Sequence, residues 1–219
     1  MQELLLSEYE IHSIYCTKDF LHENSNKLTK AKPQIFEAEP EQLAEVGTYL
    51  TNKSALAVVE IKENIPLSAS KDEFALVLDD IKDPGNLGTI IRIADWFGIQ
   101  KVIASETTVD LYNPKVINAS MGSFTRVRMF YTDLRNFIQD NVGPYYGAFL
   151  DGEDVHNVNF ERQGYLVIGN EASGIESSLH TFIDRRVFIP RYGGAESLNA
   201  GVATAIILDN IQKSISFRS

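Results

Sequence analysis

Cysteine is almost absent from this 219-residue chain: there is one, Cys16. A single thiol excludes an internal disulfide, and the cytoplasm is the expected setting. Long apolar runs are missing too. None comes near the roughly 20 residues that a membrane helix needs, so no membrane partner is expected. The opening MQELLLSEYE has no basic segment followed by an apolar stretch, and no signal peptide is expected. His12, His22, His156 and His180 are scattered along the chain. With one cysteine they make no Cys/His cluster, so no metal site is expected. Neither the dinucleotide pattern G-x-G-x-x-G nor the P-loop pattern occurs. No internal repeat and no low-complexity tract is visible.

Positive charge is the remaining shortage. Twenty Lys and Arg face 30 Asp and Glu, for a net charge of −10. A nucleic-acid binder normally needs cations against phosphate, so the total taken alone favours a small-molecule enzyme. The basic residues are nevertheless uneven. Arg126, Arg128 and Arg135 lie close together, as do Arg185, Arg186 and Arg191. They are either local patches that serve an RNA or a solvated face with ordinary ion pairs, and both readings stay open.

What is present is a chain 44% apolar, ample for a packed core. EIHSIYC (10–16) alternates and carries β-branched and aromatic residues, so it reads as a strand. HENSNKLTKAKPQ (22–34) is polar and reads as a loop. Pro40 opens a helix through EQLAEVGTYL (41–50). ALAVVEI (55–61) reads as a buried strand, and ENIPLSASKDE (63–73) as a polar connector. A boundary there divides the chain into a small α/β unit, 1–70, and a larger one, 71–219.

The larger part alternates strand and helix. FALVLDD (74–80) is a nearly continuous apolar run, as in a parallel strand buried on both faces. A helix follows through LGTIIRIADWF (87–97), closed by Gly98. Strands at 101–105, 127–131, 145–150, 165–169 and 186–190 interleave with helices at 113–122 and 132–140. A long apolar helix spans 197–215. Such alternation implies an α/β fold with a parallel sheet and helices on both faces.

Three loops follow expected strands, where open α/β sheets bind ligands. The first is Asp83-Pro84-Gly85-Asn86-Leu87-Gly88. Its ordinary reading is a turn with a helix cap. Arg92, set among Ile90, Ile91, Ile93, Ala94, Trp96 and Phe97, either snorkels to solvent or points into a cleft. The second is Gly169-Asn170-Glu171-Ala172-Ser173-Gly174-Ile175, whose ordinary reading is a strand-to-helix turn capped by Ser173. The third runs from Ile189 to Asn199 through Gly193 and Gly194, where backbone can approach a ligand closely. Ser197, Leu198 and Asn199 begin the last helix, whose first turn offers free N–H groups. Each loop alone is weak evidence.

Taken in order, the three resemble the signature motifs of the SpoU (TrmH-like) family in the SPOUT methyltransferase superfamily. The first resembles D-P-x-N-x-G-x-x-x-R-x-A-x-x-F-G, met from Asp83 to Gly98. The second is similar to hydrophobic-G-x-E-x-x-G-[IL], met from Ile168 to Ile175. The third resembles I-P-M-x-G-x-x-E-S-L-N-[VA]-[SG]-V-A, met from Ile189 to Ala203, except that Arg191 replaces Met, and Ala200 and Gly201 replace the common Val-Ser. The likeness covers roughly residues 74–212. More vaguely, the amino-terminal part is similar to the small RNA-binding module that often precedes this catalytic domain. Relatives usually carry a further basic segment ahead of it, so the chain is either truncated or naturally short, which would partly explain its acidity.

The resemblance implies a parallel-sheet SPOUT fold ending in a deep trefoil knot, an exception to the usual connection rules. It also implies a homodimer with the last helix and the first-loop helix near the interface. The implied reaction is methyl transfer from S-adenosylmethionine to a ribose 2′-hydroxyl of RNA. Ribosomal RNA is expected before tRNA. By motif position, Gly169, Ile189 and Leu198 would contact the donor. Arg92 would grip phosphate and ribose and help remove the hydroxyl proton. An ordinary arginine is not a base, so orienting substrate and stabilising the forming alkoxide is the cheaper role. Asn86, Glu171, Ser197 and Asn199 would hold substrate and loops by hydrogen bonds. The alternative is a catalytically inactive RNA-binding member of the same fold.

Overall fold

The computed structural model describes residues 1–31, 33–47 and 52–216. They divide into two units, Met1–Glu63 and Asn64–Ser219. The division falls inside the polar connector at 63–73.

The smaller unit is a three-stranded sheet with short helices. Its elements are α1 (Gln2–Leu5), β1 (Ile11–Cys16), α2 (Lys18–Glu23), α3 (Ser25–Ala31), β2 (Gln34–Glu37), α4 (Pro40–Val46) and β3 (Ala55–Val59). The order is β2-β1-β3, with β2 parallel and β3 antiparallel to β1. Ile14, Cys16, Phe20, Leu28 and Ala55 form its core. The expected loop at 22–34 is corrected: most of it is helical. Thr17 caps α2, its hydroxyl accepting the Phe20 N–H at 3.3 Å. The Asn24 carbonyl starts α3 by accepting the Lys27 and Leu28 N–H groups, both at 3.0 Å. Leu28, 1% exposed, then anchors that helix in the core. The helix after Pro40 ends at Val46, with residues 48–50 of the expected span outside the described residues. β3 is half-buried rather than buried.

In the larger unit the elements are β4 (Phe74–Leu78), α5 (Pro84–Trp96), β5 (Lys101–Ser105), α6 (Pro114–Ala119), β6 (Arg128–Thr132), α7 (Leu134–Asp140), β7 (Tyr145–Asp154), β8 (Gly164–Ile168), β9 (Arg185–Phe188) and α8 (Ala200–Ser216). The sheet order is β6-β5-β4-β8-β7-β9, with every pairing parallel. The expected α/β architecture is therefore present. β4 and β8 are buried at every position because apolar layers cover both sheet faces. One layer gathers Leu76, Leu78, Ile90, Ile91, Leu166 and Leu208. The other gathers Ala75, Val77, Ile103, Phe137, Tyr165 and Val167. Each such Leu or Ile contributes about 1.5–3 kcal/mol by leaving water.

Polar contacts fix the ends of this sheet. The Asn64 carboxamide donates to the Tyr131 carbonyl at 2.8 Å and accepts the Tyr131 N–H at 2.9 Å on edge strand β6. Lys101 reaches the Ser68 carbonyl, the Ser70 hydroxyl and the Glu73 carboxylate at 2.6–2.9 Å. The 64–73 segment is thereby fastened to the larger unit.

Helices α5 and α6 cross closely at Gly88. A Cβ there would lie 2.5 Å from the Ala119 Cβ and 2.8 Å from the Val116 carbonyl oxygen. Gly88→Ala should therefore overpack the crossing and destabilise the fold by about 1–3 kcal/mol, measured by urea unfolding; an unchanged midpoint would show that the crossing yields.

Candidate active site

Three loops leave the carboxyl ends of β4, β8 and β9, and one side chain joins them. At the end of β4 the Asp83 carboxylate accepts the Asn86 N–H at 2.7 Å and caps α5, with Pro84 in the first turn. This sets Asn86 on the opening turn of the helix. Its Nδ2 donates to Glu171 Oε1 at 2.6 Å, while its Oδ1 accepts from Asn199 Nδ2 at 2.7 Å. Asn199 Oδ1 in turn accepts the Gly201 and Val202 N–H groups at 2.9 and 3.3 Å, capping α8. A carboxamide both donates and accepts, so Asn86 can bridge an acceptor and a donor that lie 85 and 113 positions away.

The loop after β8 is a closed ring. Asn170 and Gly174 exchange main-chain bonds of 3.0 and 2.9 Å. The chain passes so close to itself that a Cβ at Gly169 would sit 2.2 Å from main-chain atoms of Gly174 and Ile175. Asn170 Oδ1 accepts the Ala172 and Ser173 N–H groups at 2.8 and 3.2 Å. Ser173 therefore caps no helix; a 3-10 turn follows at Ser177–Phe182.

Two aspartates at the end of β4 hold this ring. Asp79, 5% exposed, accepts the Glu176 N–H at 2.7 Å. Burial pushes its carboxyl above the ordinary value, opposed by that N–H. Asp80 accepts Asn170 Nδ2 on its carbonyl at 2.8 Å and on Oδ2 at 3.1 Å. The Lys82 ammonium, 2.6 Å away, leads the groups that hold the Asp80 carboxyl below its ordinary value.

The structure thus brings Asn86, Glu171 and Asn199 together. Arg92 stands on the exposed side of α5, and its side chain makes no ion pair or hydrogen bond among the described residues. Ser197 is exposed in the third loop and does not join the chain of bonds. The last helix begins at Ala200, after the three residues expected to open it. Gly169 and Ile189 are half-buried, and Leu198 is half-exposed. Within the third loop Arg191 Nη1 reaches back to the Ala195 carbonyl at 3.3 Å. Among the arginines outside these loops, Arg126 pairs with Asp95, Arg185 with Glu153 and Arg186 with Asp151. Those three make the ion pairs that the solvated-face reading expects, and the RNA-patch reading stays open beside it. Asp79, Asp80 and Asn170 escape the sequence reading; the sign of them is a pair of acids closing an apolar run. Among the described residues no group of His, Cys, Asp and Glu is placed to hold a metal, and no helix is long and apolar enough to cross a membrane.

Asn86→Asp should set a second carboxylate against Glu171 and repel it. The variant's Tm deficit against the parent should grow as pH rises from about 3 to about 6, through the ordinary carboxylate range. A deficit flat with pH would mean that the Asn86–Glu171 contact is not made.

Comparison with known proteins agrees with the motifs. The profile of the SpoU rRNA Methylase family matches residues 73–209. The chain is 31% identical over 166 residues to the 23S rRNA (guanosine(2553)-2′-O)-methyltransferase RlmP of Bacillus subtilis, covering 74% of this chain and 66% of that protein. It is 28% identical over 248 residues to the mitochondrial rRNA methyltransferase 1 of Saccharomyces cerevisiae, covering 94% of this chain and 56% of the relative. The chain thus spans less than two thirds of the length of these curated relatives. Among solved structures, an RNA methyltransferase of the TrmH family from Porphyromonas gingivalis superposes with a TM-score of 0.81 at 31% identity, over 99% of this chain and 86% of the other. The SpoU methyltransferase AviRb of Streptomyces viridochromogenes in complex with AdoMet has the same fold, with a TM-score of 0.83 at 24% identity over 98% and 87% of the two chains. On the matched span and the three joined loops, the chain belongs to the SpoU rRNA Methylase family.

Proposed function

We propose that this protein transfers a methyl group from S-adenosylmethionine to a ribose 2′-hydroxyl of RNA, and of ribosomal RNA before transfer RNA. One observation carries the reading: Asn86 binds Glu171 and Asn199 at once, drawing three signature loops together at the start of the helix that bears Arg92. The names of relatives that act on 23S rRNA support ribosomal RNA as the substrate.

The donor, when bound, supplies a methyl group already activated on a sulfonium. The third loop suits such a ligand. Half-buried Ile189 and half-exposed Leu198 offer apolar contact. Around them, residues 191–198 make no main-chain to main-chain hydrogen bond among the described residues, so apart from the Ala195 carbonyl, which Arg191 holds, their main-chain groups are open to a ligand. The Gly169 turn, held tight against Gly174 and Ile175, offers main chain in a fixed place. Gly169, Ile189 and Leu198 would hold the donor.

The rest falls to positioning and charge. A ribose hydroxyl is a poor nucleophile, and fixing it in line removes much of the barrier. Arg92 has no competing carboxylate, so it is available to grip the target phosphate and ribose and to stabilise the developing alkoxide. Asn86, Glu171 and Asn199 keep the loops in register, and Ser197 supplies a hydroxyl to the substrate. The smaller unit serves as an RNA-binding module. The same reading includes a carboxyl-terminal trefoil knot, supported by the return of the chain from β9 to pack α8 against α5. It also includes a homodimer through α5 and α8, supported by Trp96 at 84% and Val202 at 47% exposure.

Arg92→Ala should lower kcat for RNA methylation by about 100-fold or more while the Kd for S-adenosylmethionine, measured by calorimetry, moves by less than about threefold. Unchanged turnover would refute the role of Arg92. Mapping ribose methylation in a strain lacking the gene tests the substrate: a mark lost from tRNA alone would overturn the preference for ribosomal RNA.

A further inference from the structure

The reaction reading leaves the one buried carboxylate among the described residues without a task. Asp79 ends the most protected strand of the sheet and is 5% exposed, yet the Glu176 N–H is the one hydrogen bond its carboxylate makes among the described residues. An apolar residue would suit this position better if packing were all that mattered, since burying a carboxylate costs free energy. The neighbouring Asp80 accepts from Asn170. The two aspartates thus seize opposite ends of the ring 170–176, whose free side carries Glu171 toward Asn86. The ring's own closure, Asn170 to Gly174, fixes its shape but does not fasten it to the sheet.

We infer that Asp79 is a positioning residue for methyl transfer: by accepting the Glu176 N–H it fastens the ring to β4, and so sets Gly169 for the donor and Glu171 for Asn86. The inference rests on the proposed methyl transfer for its kinetic consequences, but the fastening itself does not. Without the carboxylate, the Glu176 N–H loses its partner, and the ring is left with its bonds at Asn170 and Glu171 and with buried Ile175. The main-chain cradle at Gly169 then becomes mobile. Burial, with Asp80 and Glu176 as neighbouring carboxylates, raises the Asp79 carboxyl above its ordinary value. An acid shifted that way is more stabilising protonated than ionised. At neutral pH the ionised group therefore lowers fold stability, as expected of a group kept for positioning.

The test compares Asp79→Ala with Asp79→Asn in the full chain. Asn keeps an acceptor for the Glu176 N–H and removes the charge; Ala removes both. Asp79→Ala should raise the Kd and KM for S-adenosylmethionine by about tenfold and leave the KM for RNA unchanged, while Asp79→Asn stays within about threefold of the parent. Amide exchange across 169–176 should accelerate by about tenfold in Asp79→Ala alone. Asp79→Asn should melt at or above the parental Tm at pH 7. A merely structural role predicts a fall in kcat with both KM values unmoved, and that result would overturn the proposal. So would Asp79→Asn as impaired as Asp79→Ala, or parental exchange in Asp79→Ala. If the parent chain itself methylates no RNA, the reaction reading fails, and the exchange comparison alone decides whether Asp79 fastens the ring.

Discussion

The architecture of the site depends on Asn86 using both ends of its carboxamide. A carboxylate at that position could accept from Asn199 but would repel Glu171, and an ammonium could serve Glu171 but not accept from Asn199. The arrangement works because the backbone has already done its part. Asp83 caps α5, which frees the first-turn side chain from satisfying its own helix, and Asn199 has spent its oxygen on the cap of α8 and has only its amide to offer. Two helix starts and one strand-end loop are thus tied by bonds that cost no buried, unpaired group. Among the described residues every buried side-chain nitrogen or oxygen has a partner.

Rigidity and openness are divided between the loops. The ring after β8 is crosslinked internally and fastened to β4, so its backbone at Gly169 is held in place. The loop after β9 is almost free of internal bonds, and residues 191–199 are exposed. A site built this way has one fixed wall and one that can adapt to what it receives. The adaptable wall ends abruptly at Asn199, where the cap of α8 restores order.

How far the sequence discloses this depends on how local the cause is. β4 and β8 are readable because strands buried on both faces must be apolar at every position, and each expected boundary there lies within two residues of the structure. The cap at Asp83 is readable, since an acid before Pro-Gly-Asn is a residue type that caps, whereas Asn199 is read as part of the last helix and Ser173 as a cap that it does not form. Helices α1 to α3 are hidden because each is under two full turns and sinks few apolar residues, so the polar text around Leu28 reads as loop, whereas Pro40 announces α4. The roles of Asn86, Glu171 and Asn199 come from likeness to known motifs, not from pattern, since a bond across 113 positions leaves no periodic trace. Asp79 is hidden for a different reason. An acid at the end of an apolar run looks like the first residue of a surface turn, and only the fold reveals that the turn closes over it.

The Asn64 carboxamide on β6 has a consequence for the chain's life in solution. Edge strands of parallel sheets expose N–H and C=O groups that can template another polypeptide, and self-association often begins there. By taking both main-chain groups of Tyr131, Asn64 mimics one residue of a seventh strand and leaves β6 no continuous row to offer. A single amide thus interrupts, at Tyr131, the row that another strand would need.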